Sequence, residues 1–241
     1  MMKGEVEANE VGANEVGANE VGLMTNEVEE DNTLYRLFLT RIGWPGVVND
    51  TKGGLSLAAT PLRELLPLDY GQVERLIFHL GLQMQVLQEH QKGICGFTLE
   101  DITVLDGEYF FLAGLQQVIH IKNSKNKEPL LAFTYPMKFT EEAKELLAPE
   151  LREKLAAKVL PFTTSLSVGY YSLAKLCLVC LALTDNLEAL RGSKMYYCFE
   201  RCLRVEPAER ARVRSSPRRE TPRRPPARPV PAPAAAVPVP V

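Results

Sequence analysis

Residues 168–183 constrain the fold of this chain most, because this run is apolar around nearly its whole helical circumference and its only charged residue is Lys175. A helix that crosses a bilayer needs about 20 predominantly apolar residues, so this run is too short for one. A helix that is apolar on all sides is typical of the centre of a folded domain. We therefore predict a central buried helix here and no membrane-spanning segment.

The two ends of the chain differ in composition from a folded core. Residues 1–32 hold nine acidic groups against Lys3, and they repeat Asn-Glu-Val at spacings that fit neither a helical face nor a strand. Residues 211–241 are rich in Arg and Pro, a composition that favours polyproline II. We therefore expect a disordered acidic leader over 1–32, a folded domain over 33–210 and a disordered tail over 211–241.

Local patterns within residues 33–210 predict the order of the elements. Asp69 and Gln72 form a capping box that opens an amphipathic helix. Asp106-Gly107, between two apolar runs, is typical of a tight β-hairpin. A long irregular loop should follow, and then helices near 150–158, 170–183 and 194–204. The expected fold class is mainly α with one small β-hairpin.

Two short motifs flank the apolar run. Residues 147–151 read Leu-Ala-Pro-Glu-Leu, and residues 201–210 end in Glu-Pro-Ala-Glu-Arg. In this order, with a long apolar helix between them, the motifs resemble the C-terminal lobe of a eukaryotic-type protein kinase. In that family a glutamate that closes the activation segment pairs with an arginine after a late helix. The resemblance therefore implies a buried structural ion pair between Glu150 and Arg210 in a kinase C-lobe-like helical domain.

The resemblance covers roughly residues 53–210 and is closest to divergent kinase-like proteins, or pseudokinases, of large DNA viruses. It places Gly96 at the catalytic aspartate and Asp101 at the metal-binding asparagine. The metal-binding tripeptide falls near residues 112–114, Leu-Ala-Gly, which lack an aspartate. Since phosphoryl transfer depends on charged groups that position phosphates and metal ions, the resemblance implies no catalytic residue here. Two interpretations of Asp101 remain. It is either a surviving metal ligand or a residue with a capping or surface role.

The nucleotide-binding half of a kinase is largely absent. Residues 33–52 are too few for five strands and a helix, which need at least about 35–40 residues at average lengths. The chain also lacks a glycine-rich phosphate loop and the lysine of a Val-Ala-Ile-Lys motif. We therefore expect no cofactor and no ATP site.

Four of the five cysteines have a spacing that superficially suggests zinc: Cys177, Cys180, Cys198 and Cys202. Both pairs lie in apolar helical stretches, which favours buried core thiols over a metal site. An odd number of cysteines, without the cationic start and apolar run of a signal peptide, favours a reducing, intracellular (cytoplasmic) location.

The arginine-rich tail offers two kinds of partner. Its charge alone suits nucleic acid or an anionic surface. Two overlapping Arg-x-x-Pro-x-x-Pro registers suit an SH3-like groove. The residues concerned are Arg219, Pro222, Pro225, Pro226 and Pro229.

Three functions are compatible with these observations. The first, which we favour, is a kinase-like interaction or scaffold module without phosphotransfer activity. The second is a divergent protein kinase completed by another chain, and the third is an unrelated helical adaptor that acts through its charged tails.

Overall fold

A computed structural model of the chain describes residues 17–46, 49–51, 54–56, 59–123, 128–183 and 186–210. The helices in these residues are α1 Gly17–Ile42, α2 Tyr70–Glu89, α3 Glu141–Leu146, α4 Pro149–Ala157, α5 Ser167–Cys180 and α6 Lys194–Cys202, with 3₁₀ turns at Leu62–Leu65, Leu187–Leu190 and Pro207–Glu209. The strands are β1 Asn49–Thr51, β2 Gly54–Ser56, β3 Ala59–Pro61, β4 Lys92–Ile94, β5 Ile102–Leu105, β6 Tyr109–Leu112, β7 Val118–Asn123, β8 Pro129–Phe133 and β9 Phe162–Ser165.

Helix α1 begins inside the segment that its composition assigns to an unstructured leader. Residues 17–32 of that segment are helical, and residues 1–16 lie outside the described part of the chain. The helix is fixed at its C-terminal half, where Leu34, Phe38 and Ile42 recur at helical spacing and are buried. Burial of this face anchors α1 against α2, and the acidic composition upstream does not reveal it.

Two local predictions from the sequence are confirmed. Asp69 caps α2 by accepting from the Gln72 backbone N–H at 2.7 Å, while the Gln72 side chain accepts from the Asp69 N–H at 2.8 Å. Strands β5 and β6 form an antiparallel hairpin, and its turn places Asp106 at φ 52° and Gly107 at φ 72°. Positive φ at both central residues is typical of a type I′ turn, and the connection as a whole spans residues 106–108, between the paired Leu105 and Tyr109.

The expected fold class was wrong, because the domain is a mixture of helices and sheets and contains more than one hairpin. Strand β3 extends the hairpin into a three-stranded antiparallel sheet of order β3-β5-β6. A four-stranded antiparallel sheet has the order β4-β7-β8-β9, and β1 and β2 pair separately. The segment expected to be an irregular loop therefore supplies β7 and β8.

The missed strands carry a weak local signal. In β7 the buried Ile119 is followed by the exposed His120, which is the alternation expected of a half-buried strand. Strand β9 is short, and its Thr163 and Thr164 suit a strand only when a partner is present. That partner, β8, lies some thirty residues earlier in the chain, as in the register of Phe133 with Phe162.

Helix α5 forms the centre of the domain, as its apolar sequence predicts. Residues on every side of it are buried, including Val168, Leu176 and Cys180. It contributes to both apolar clusters, one with α1, α2 and the three-stranded sheet and one with the four-stranded sheet and α4. In the part of the chain that the structure describes, no helix is both long and apolar enough to cross a bilayer.

The side chain of Gln83 joins α2 to the edge of the hairpin. It is 0% exposed, and its Nε2 donates to the carbonyls of His79 at 3.0 Å and Phe110 at 2.9 Å. Its Oε1 accepts from the Leu112 backbone N–H at 2.8 Å. A buried amide that satisfies both strand and helix fixes the position of β6 on α2.

Replacing Gln83 with leucine should lower the free energy of unfolding by about 2 kcal/mol, since the buried Leu112 N–H loses its acceptor. Urea denaturation followed by circular dichroism measures this loss. Gln85→Leu, on a less buried side of the same helix, should stay within about 0.5 kcal/mol of the parent chain. Equal stability of the Gln83 and Gln85 variants would contradict the bridging role.

Candidate functional site

Glu150 and Arg210 meet in the structure although sixty residues separate them. Arg210 Nη2 donates to Glu150 Oε2 at 2.9 Å, and Arg210 Nη1 donates to the other oxygen, Oε1. The contact is therefore bidentate, the strongest geometry that a guanidinium and a carboxylate form. Glu150 lies in the first turn of α4, directly after Pro149, where the positive end of the helix favours a carboxylate.

The side chain of Arg210 is buried and is fixed by hydrogen bonds and by contact with an aromatic ring. Its side chain is 0% exposed, against 19% for Glu150. Besides the two bonds to the carboxylate, it donates from Nε to the Arg204 carbonyl at 2.7 Å and from Nη2 to the Val205 carbonyl at 2.9 Å. Its guanidinium carbon lies 4.9 Å from the ring centroid of Tyr171 on α5. The pair thus fastens the end of the domain to both α4 and α5.

Gly96 lies where an added side chain would require the buried Leu147 side chain to shift. A Cβ at this position would lie 2.6 Å from Leu147 Cδ2, 3.8 Å from Ser172 Oγ and 3.9 Å from Phe139 Cε1. Leu147 belongs to the same motif as Glu150 and is itself buried. The position that the kinase resemblance assigns to a catalytic aspartate is therefore filled by the packing of the ion-pair motif.

The carboxylate of Asp101 is buried and hydrogen-bonded to Thr98, three residues earlier in the chain. Its Oδ2 accepts from the Thr98 backbone N–H at 3.0 Å and from the Thr98 hydroxyl at 2.8 Å. Burial raises the pKa of this carboxyl, and the two bonds from Thr98 oppose that rise. Asp101 therefore stabilises a local turn with Thr98.

Residues 112–114 close the other side of Asp101. The backbone N–H groups of Ala113 and Gly114 donate to the Asp101 carbonyl at 2.7 and 3.0 Å. A Cβ at Gly114 would lie 2.3 Å from Asp101 Oδ1, so a larger residue there would require Asp101 to move. Residues 112–114 therefore carry no carboxylate, and at Gly114 a side chain would require Asp101 to shift.

Ser172 connects α5 to the loop between β4 and β5. Its hydroxyl oxygen accepts from the Phe97 backbone N–H at 2.8 Å, and both residues are buried. This contact could not be predicted from the sequence, because a serine inside an apolar helix has no local pattern that identifies a distant partner. The loop that contains Gly96 is thus fixed by α5 at Phe97 and by Leu147 at Gly96.

The cysteines divide into buried thiols and one exposed thiol. Cys177 and Cys180 are buried on α5, as their apolar surroundings predict, and Cys202 is buried on α6. Cys198, one turn before Cys202, is exposed. Within the described residues, no three His, Cys, Asp or Glu side chains come together in a way that would hold a metal ion.

The environments of these thiols shift their pKa values in opposite directions. A hydrogen bond from Cys202 lowers the pKa of Cys198 to about 7, while burial raises that of Cys180 to about 12. The pKa of Cys202 is raised, first because it donates that hydrogen bond and then because it is buried. Since the thiolate is the nucleophile, Cys198 should be the most reactive cysteine of the folded chain.

Alkylation of the folded chain with iodoacetamide should label Cys198 first, at a rate that increases as the pH rises through about 7. Intact mass spectrometry of time points measures the stoichiometry, and peptide mapping locates the label. Cys198→Ser should abolish the fast phase, whereas Cys180→Ser should leave it unchanged. Equal labelling of Cys177 and Cys198 in the folded chain would contradict this assignment.

The tail motif predicted to suit an SH3-like groove falls at residues 219–229, outside the described residues. No protein-family model matches this chain, and no curated protein matches its sequence.

Proposed function

We propose that this chain is a kinase-related interaction or scaffold module that does not transfer phosphate. The observation that carries the proposal is the packing at Gly96. At the position that the resemblance gives to a catalytic base, Gly96 packs against Leu147, which would have to shift to admit a side chain, and the nearby carboxylate of Asp101 accepts from Thr98. Within residues 147–151, Leu147 thus packs against Gly96, and Glu150 forms the buried ion pair with Arg210.

The proposal gives the ion pair an architectural role. Among the described residues, both carboxylate oxygens of Glu150 accept from Arg210, and Arg210 also donates to backbone carbonyls and lies over the Tyr171 ring. The Arg210 side chain is fully buried, so it is not presented to a substrate. Such an arrangement maintains a surface on which a partner protein can dock. The described cysteines carry no disulfide, which supports action in a reducing, intracellular compartment.

Titration with ATP and Mg²⁺ or Mn²⁺ should leave the melting temperature of the full chain unchanged. A ligand that binds the folded state stabilises it by about 2.7 kcal/mol at a hundredfold excess over its dissociation constant, a shift that differential scanning fluorimetry resolves. An active protein kinase measured in parallel provides the positive control.

Clear stabilisation by nucleotide, together with incorporation of radiolabelled phosphate, would favour a divergent kinase instead. The decisive variant in that case is Asp101→Asn, which keeps an oxygen that can accept from Thr98 but removes the negative charge. Phosphate incorporation that is lost in this variant while the melting temperature is kept would assign a catalytic role to Asp101.

A further inference from the structure

An apolar cavity of about 840 Å³ opens to solvent beside helix α4. One wall is the segment 135–139 between β8 and α3, and the other is formed by residues within 152–162, from α4 through the following loop to the start of β9. Phe139, Leu155 and Phe162 contribute apolar surface. Tyr135 and Val159, which are 58% and 66% exposed, extend that surface to the opening. The volume lies within the range of pockets that bind ligands of drug size or the anchoring side chains of a peptide.

The charges that line this cavity all have the same sign. Its lining includes five basic residues and no acidic residue: Lys138, Lys144, Arg152, Lys154 and Lys158. Two of the five have partners, since Lys144 pairs with Glu141 at 2.6 Å and Lys154 donates to the Thr163 carbonyl at 2.6 Å. Lys138, Arg152 and Lys158 have no ion-pair partner among the described residues.

The number and placement of these cations favour a ligand with several negative groups. Lys138 lies on the segment between β8 and α3, whereas Arg152 lies on α4 and Lys158 at its C-cap, so both walls of the cavity carry cations. An extended peptide with several acidic residues can pair with cations on both walls, and its apolar side chains would occupy the cavity between them.

We propose that the cavity beside α4 binds an acidic segment of a partner protein, with one or more apolar anchor residues between its carboxylates. The proposal rests on the proposed function, because it names the partner chemistry of an interaction module. Nucleotide titration tests phosphotransfer and peptide titration tests the partner, so the two can fail separately.

The probe is a fluorescein-labelled peptide, Asp-Glu-Phe-Asp-Glu-Leu-Glu-Glu, titrated with the full chain at 150 mM salt and followed by fluorescence anisotropy. Two control peptides separate the contributions: one has every acid replaced by its amide, and one has Phe and Leu replaced by serine. We expect both controls to bind at least tenfold more weakly than the probe, since the site supplies cations and apolar surface together. Equal binding of the probe and either control would overturn the proposal.

The matched protein variants are Arg152→Gln/Lys158→Gln and Lys122→Gln/Lys194→Gln, which remove the same charge from exposed positions inside and outside the cavity. The first should weaken probe binding at least tenfold and the second less than twofold. Equal losses would show that the arginine-rich tail or the overall charge binds the peptide, against the proposal. Circular dichroism checks that both variants are folded.

A cross-linking experiment on the parent chain makes the result independent of how well the variants fold. A benzophenone amino acid replaces Phe in the probe, and mass spectrometry locates the cross-link after irradiation. Cross-links within residues 135–162 support the proposal, whereas cross-links within 211–241 overturn it. Vesicles of phosphatidylserine and phosphatidylcholine test a membrane instead. Vesicle binding that depends on Arg152 and Lys158, without peptide binding, would assign the cavity to an anionic membrane surface.

Discussion

Replacement of Glu150 with alanine is expected to lower the free energy of unfolding by about 3 kcal/mol. Removing one partner of a buried ion pair costs about 3–5 kcal/mol, because the remaining charge stays buried without compensation. The lower end applies here, since the Glu150 side chain is 19% exposed and Arg210 keeps its bonds to two backbone carbonyls. Urea denaturation followed by circular dichroism measures the loss.

The matched control is Glu153→Ala, which removes an exposed carboxylate from the same helix. It should change stability by no more than about 0.5 kcal/mol. The double variant Glu150→Ala/Arg210→Ala should cost less than the sum of the two single variants, because it leaves no unpaired charge. If Glu150→Ala were as stable as Glu153→Ala, the pair would have no architectural role.

Introducing an aspartate at Gly96 should destabilise the domain by at least about 3 kcal/mol. A Cβ there would approach Leu147 to 2.6 Å, and overpacking of a core costs about 1–3 kcal/mol by itself. The aspartate would also bury a carboxylate without a cation, which adds a large desolvation cost. An aspartate, the residue that the kinase resemblance would place here, is therefore expected to be poorly accommodated at this site.

Two alanine variants test the same argument without a charge. Gly96→Ala should lose about 1–3 kcal/mol through overpacking alone. Gly81→Ala, on α2 with nothing within 4 Å of the added Cβ, should gain up to about 1 kcal/mol because alanine favours a helix more than glycine does. The two substitutions should therefore shift the urea midpoint in opposite directions. Stability gained at both positions would show that the space at Gly96 is open.

The sequence predicted the elements whose signals are local. Helix α2 and the β5–β6 hairpin follow from spacings of two to four residues, and the apolar run at α5 identifies the centre of the domain. The four-stranded sheet was missed in part because β4 and β9 are short and pair with strands distant in sequence, β7 and β8. Strands β7 and β8 pair with each other across a short connection, but their sequences alternate too weakly to predict a hairpin. Short strands of this kind have little intrinsic preference until the partner strand is in place.

The candidate site divides in the same way. The contact of Glu150 with Arg210 came from the order of two motifs and from no local pattern, since neither residue is distinctive alone. The closure of Gly96 by Leu147 and the bond from Phe97 to Ser172 depend on packing in three dimensions. The cavity beside α4 is lined by two segments that are distant in sequence, which were predicted as a loop and the end of a helix. No local sequence pattern indicates that these segments lie close together, so the cavity could not be predicted.

The position of Arg210 has a consequence for synthesis of the protein. A ribosome adds about 5–20 residues per second, so the sixty residues between Glu150 and Arg210 take about 3–12 s to translate. From the completion of α5 at Cys180 until Arg210 is added, the nascent chain carries α4 and α5 without the cation that joins them. Cotranslational folding of this domain should therefore finish only after residue 210 has left the exit tunnel, and chaperones that recognise exposed apolar helices should encounter α5 before then.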